Sequence, residues 1–151
     1  MKKMLIFFIL VVIGFTACAL DRFDEPVYSS STGKAVGGWD TVSYFNSSSP
    51  QLGSEQWQTE YNGATWLFSS EENLNLFKAS PSKYAPAYGG YCAWAASQNY
   101  LAPGSPRYWD IFGGRLYLNF NAGARRNFLK DPLNLIKDAD KNWPGLSARL
   151  K

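Results

Sequence analysis

One hairpin signal, written twice at a spacing of 51 residues, constrains this chain more than any other feature. Residues 57–61 alternate aromatic with polar side chains, Asn62-Gly63 supplies two residues that tolerate a left-handed turn, and Thr65-Trp66-Leu67-Phe68 returns as a second strand. Ser69 and Glu72 then stand at the two ends of a capping box, opening a helix expected to bury Leu74, Leu76 and Phe77. Ser80-Pro81 sets a cap before a first-turn proline and restarts a short helix through Tyr84. The same order recurs: Tyr61, Gly63, Trp66, Leu67, Phe77 and Pro81 align with Phe112, Gly114, Tyr117, Leu118, Phe128 and Pro132. Only four of 25 aligned positions are identical, so the repeat rests on shared turn and cap grammar. Each hairpin exposes an aromatic face that the helix after it must cover, and residues 132–141 extend that cover. The expected fold is α+β, a small single domain built from two ββα-like units with extra short helices.

Upstream of the repeat the chain reads as an export signal. Met1-Lys2-Lys3 is basic, residues 4–15 carry no charge, and the run is too short to span a bilayer comfortably. Phe15-Thr16-Ala17-Cys18 resembles a lipobox with Phe15 where Leu is usual, so Cys18 is the expected lipidation site. Ordinary cleavage after Ala19 is the alternative, because Ala17-Cys18-Ala19 also satisfies the small-x-small rule. The expected organisation is a signal over residues 1–17, a Ser- and Gly-rich tether over 18–35, the folded domain over 36–145 and a tail over 146–151. Ala19-Leu20, rather than Asp, follows the cysteine. The expected location is therefore the cell envelope, held by the lipid on the periplasmic side of the outer membrane, with a secreted or soluble periplasmic form as the alternative.

Composition removes several chemistries. The 151 residues contain no His, which excludes Ser-His and Cys-His couples and the commonest zinc ligand. Loss of Lys2 and Lys3 with the signal leaves 13 basic against 12 acidic side chains. The basic residues are scattered and form no known motif, so nucleic acid is not an expected partner. With Cys18 acylated or removed, Cys92 is a lone thiol without an intramolecular disulfide partner. At a helix N-terminus it would be a reactive thiolate; packed in the interior it is a small apolar residue. Six Trp, nine Tyr and ten Phe are enough to build a core, and part of the Trp set is available for a stacking platform.

The stretch Glu60-Tyr61-Asn62-Gly63-Ala64-Thr65-Trp66-Leu67-Phe68, followed by Phe77, Pro81 and Tyr84, resembles the YHS domain pattern. Gly38-Trp39-Asp40-Thr41-Val42-Ser43-Tyr44-Phe45, Tyr88-Gly89-Gly90-Tyr91-Cys92-Ala93 and Leu116-Tyr117-Leu118-Asn119 are similar to a longer exported branch of that family. The resemblance covers about residues 35–145 and implies metal handling, since short YHS modules occur in heavy-metal transporters and monooxygenase components. Those modules resemble treble-clef metal binders, with cysteines where this chain has Ser69 and Asn73 and another near Asp40-Thr41-Val42. With one thiol and no imidazole, no metal ligand set and no cofactor are expected, and a metal ion enters only by family analogy. The expected function is a non-catalytic binding module for an unknown small ligand or envelope protein. Its site is placed at Asp40, Tyr44, Asn73, Tyr88, Gly89, Gly90, Tyr91, Cys92 and Trp94. A thiol-dependent redox accessory using Cys92, or a metal-handling protein, is the alternative.

Overall fold

The computed structural model describes residues 26–29 and 32–150. The signal and Cys18 lie outside the described residues. The architecture is mixed α+β: the described residues form six α-helices and three separate two-stranded antiparallel sheets. In the first half, β1 (Trp39–Asp40) pairs with β2 (Gln51–Leu52), flanking the short helix α1 (Ser43–Asn46). The hairpin β3 (Ser54–Tyr61) and β4 (Ala64–Phe68) follows, then α2 (Glu71–Ala79) and α3 (Pro81–Tyr84). The second half runs through α4 (Ala93–Ser97), the hairpin β5 (Ser105–Phe112) and β6 (Arg115–Asn119), α5 (Ala122–Phe128) and the long α6 (Pro132–Ser147).

Both hairpins turn where Asn62-Gly63 and Gly113-Gly114 place them, with φ of 49° and 76° in the first and 57° and 76° in the second. Positive φ at both central residues matches the right-handed twist of the strands, and Gly adopts it without a Cβ penalty. The repeat reaches further than its sequence signal. Each half opens with a 3-10 turn, Ala35–Gly38 or Ala87–Gly90, and each long strand breaks register at the same place, between Ser54 and Gln58 or between Ser105 and Trp109. Even the close approaches repeat: a Cβ on Gly53 would strike Leu67, and one on Gly104 would strike Gly90 and the side chain of Leu118.

Three local features depart from the sequence reading. The N-cap of α2 is Ser70, whose side chain accepts from Asn73 N (3.1 Å), while Ser69 and Glu72 form no box. Ser69 is drawn away by a stronger acceptor, the Asp40 carboxylate. Residues 46–53 have the polar composition of a loop, yet Gln51 and Leu52 within them form β2. The C-terminal helix crosses residue 145 and buries Leu146 completely, while Val27 is packed against the domain upstream of residue 36.

The first half centres on Trp66, Phe68 and Phe77 with Val42 and Tyr44, the second on Tyr117, Phe128, Ala139 and Leu146. Rings meet edge-to-face or tilted, as in Tyr61–Phe77 and Tyr117–Phe128, the geometry that aromatic quadrupoles favour. Leu116 and Leu118 of β6 belong to the first cluster, so the halves share one interior.

Candidate functional site

The sequence-derived residues fall into three places. Asp40, Tyr44 and Asn73 belong to a buried polar network in the first half. Asp40, with no exposed surface, ends β1 and directs both carboxylate oxygens at protein donors. Its Oδ1 accepts Val42 N (2.9 Å) and Ser43 N (3.3 Å); Oδ2 accepts Ser69 N (2.9 Å), Ser69 Oγ (2.6 Å) and Asn73 Nδ2 (2.6 Å). Asn73 in turn accepts from Asn46 Nδ2 (3.0 Å). The carboxylate thus ties β1 and α1 to the end of β4 and to α2, and five donors replace the water it gave up. Tyr44 lies beside this network, donating to the Pro106 carbonyl (2.8 Å) and meeting Trp109 edge-on at 5.1 Å. Burial, then the nearby Asp40 charge, pushes its phenol up.

Cys92 and Trp94 form the second place, on the other half. Cys92 is the N-cap of α4, and its Sγ accepts from Ala95 N (3.5 Å). The thiol donates toward Asn119 Oδ1 (3.7 Å), which also accepts Trp94 N (3.1 Å). Burial pushes the thiol up, while the Ala95, Phe120 and Trp94 amides pull it down by a smaller amount. Apolar neighbours Ala95 and Ala124 complete the cluster. Gly90 and Tyr91 lead into it: Tyr91 is buried, and Cys92 N donates to the Ala102 carbonyl (2.9 Å).

Tyr88 and Gly89 line the third place, a half-open cavity of about 350 Å³ between the two halves. Its first-half wall includes Tyr61, Asn62 and Trp66; its second-half wall includes Tyr88, Arg115 and Trp143; Pro26 and Val27 close one side. Tyr88 donates its hydroxyl to Asp140 Oδ1 (2.9 Å) and holds φ of 56°, an uncommon backbone for a bulky residue. Arg115 bridges to the same carboxylate at 3.2 Å, its guanidinium over the rings of Tyr88 and Tyr117 at 5.7 and 5.4 Å. Among the described residues of the cavity wall, Arg115 is the one with a formal charge. The sequence reading missed Tyr61, Trp66, Arg115 and Trp143 as lining residues, although Trp66 and Trp143 belong to its proposed stacking set.

Compared with known families, the stretch from just before β2 to Tyr88 matches one family model. Residues 50–88 match the model of the YHS domain. The match takes in the first hairpin, α2 and α3, and covers about a quarter of the chain. No curated protein and no solved structure matches the chain.

The metal handling that the YHS resemblance implies can be tested against the side chains. Asp40, Ser43, Ser69 and Asn73, which occupy or adjoin the positions that metal-binding modules give to cysteine, do converge. Asp40 alone among them is charged, and its lone pairs are directed at N–H and O–H groups of the protein. Hydroxyl and amide groups are poor ligands for soft or borderline ions. No group of three His, Cys, Asp or Glu side chains comes together among the described residues. This donor set does not fit a thiolate or imidazole metal site.

Proposed function

We propose that the protein is an exported, lipid-anchored YHS-type binding module without catalytic function of its own. Its ligand is a small planar organic molecule bearing an acidic group, held in the cavity between the two halves. The observation that carries this reading is the composition of that cavity. Tyr61 and Trp143, both half-buried, offer ring surface beside the nearly buried Trp66 and Tyr88, and Arg115 supplies a guanidinium that Asp140 and the flanking tyrosines hold in place, with N–H donors left for an acidic group. Small-molecule sites are typically concave, largely apolar and furnished with a few polar groups that fix orientation. A volume of about 350 Å³ suits a ligand of modest size. Export and anchoring rest on the basic start, the uncharged run and Cys18. Membrane fractionation tests them: wild type is expected with the membrane, and Cys18→Ser should release the protein or block its maturation.

Anilinonaphthalene sulfonate, an aromatic anion, probes the cavity. It is expected to bind the mature protein at one site with energy transfer from Trp, and Trp143→Ala or Arg115→Ala should weaken that binding at least several-fold. Binding unchanged in both variants overturns the cavity assignment. An envelope protein recovered as the only bound species would assign the module to protein partners instead.

A further inference from the structure

The two halves place corresponding side chains at one structural position, and those side chains differ. Asp40 and Cys92 each follow a turn that ends in Gly-Gly, and each lies at the start of a short helix, α1 or α4. Each also receives the amide of the residue just past the return strand, Ser69 after β4 and Phe120 after β6. In the first half this position holds an anion supplied with five donors. In the second it holds a sulfur faced by the Ala95, Phe120 and Trp94 amides, although a neutral thiol is a weak acceptor. A separate observation concerns the amide beside the nest. Asn119 has no exposed surface; its Oδ1 faces the Cys92 sulfur and the Trp94 N–H, and its Nδ2 has no hydrogen-bond partner. Phe68 stands at the equivalent position in the first half, so this buried amide is peculiar to the cysteine side.

We propose that Cys92 is an oxidation site, and that its nest receives the sulfenate or sulfinate formed there by hydrogen peroxide. The sulfur attacks one peroxide oxygen; an S–O bond forms, the O–O bond breaks, sulfur gives up two electrons, and the thiol proton leaves in the water released. A second peroxide repeats the step on the sulfenate and yields the sulfinate. A CH2–SO2⁻ group copies the CH2–COO⁻ of Asp40 in charge and in its two terminal oxygens. On the Asp40 pattern the Trp94 and Ala95 amides serve one oxygen and the Phe120 amide the other. Turning the Asn119 amide releases the Trp94 N–H for the first and presents Nδ2 to the second. Cys92 is 1% exposed, which admits only a small oxidant, and its reluctance to ionise makes the reaction slow at neutral pH.

Two experiments test this in the mature, folded protein. After hydrogen peroxide treatment, peptide mass spectrometry should find Cys92 carrying one and then two oxygens, faster toward pH 9.0, the ordinary thiol value. The oxidised protein should melt no lower than the reduced one. Independently of oxidant access, Cys92→Asp should fold and melt close to wild type, whereas Ala124→Asp puts a carboxylate in the adjoining apolar cluster and should melt far lower. Cys92→Asp melting as low as Ala124→Asp overturns the proposal, as does a Cys92 that stays reduced in folded protein at pH 9.0.

Discussion

Replacing Asp40 with Ala withdraws a single acceptor from five donors, and the burial of each donor sets the cost. Ser69 is exposed, so its N–H and hydroxyl turn to water at little expense. Val42 and Ser43 are at most 1% exposed, so two donors stay dry and unpaired, while the buried Asn73 Nδ2 keeps its 3.3 Å contact with Ser69 Oγ. A buried donor stripped of its partner costs about 1–3 kcal/mol, and the long Ser43 contact belongs at the low end. The sum is about 2–4 kcal/mol, a large fraction of the roughly 5–15 kcal/mol that holds a domain folded. Urea melts followed by tryptophan fluorescence measure it directly. Asp40→Asn should also lose stability, because its amide sets N–H groups against the donors of Ser69 or Val42. Asp40→Ala within about 1 kcal/mol of wild type would refute the reasoning, since it would mean that water or a shifted backbone satisfies those donors.

Gly114→Val should destabilise the second hairpin by about 1 kcal/mol or more in the same melts, and Gly63→Val the first. A Cβ at either position meets no neighbour, so the loss reports backbone strain alone. Stability should also fall at alkaline pH. Burial raises the Cys92 thiol above its ordinary 9.0 and the Tyr44 and Tyr88 phenols above 10.0, so the fold favours the protonated forms. That contribution is complete below about pH 9 and is lost as pH climbs toward the raised values. Melting temperatures recorded from neutral to strongly alkaline pH should decline above that point, less steeply in Tyr88→Phe.

The hairpins were legible because Asn62-Gly63 and Gly113-Gly114 are local signals: the turn conformation is written in two adjacent residues. The α2 cap was misread by one residue because its decision is not local. Ser69 and Ser70 are equal candidates in sequence, and Asp40, 29 residues away, takes the first. The correspondence of Asp40 with Cys92 was hidden by a spacing of 52 rather than 51, the stretch from Cys92 to the end of α4 being one residue shorter than that from Asp40 to the end of α1. The cavity was out of reach for a different reason. Tyr61 and Trp66 read as hairpin residues, Arg115 carries no signal of its own and Trp143 lies beyond the covering segment 132–141, and only the packing of the halves brings them to one surface. Composition indicates enough aromatics for a core and cannot say which rings are left facing a void.

A native mass spectrum of the protein isolated from its own cells tests the central claim most directly. The account predicts one small organic molecule per chain, lost or weakened in Arg115→Ala and Trp143→Ala and retained in Asp40→Ala if that variant still folds. A bound metal ion that leaves on substitution of Ser69 or Asn73, with no organic mass, would contradict it.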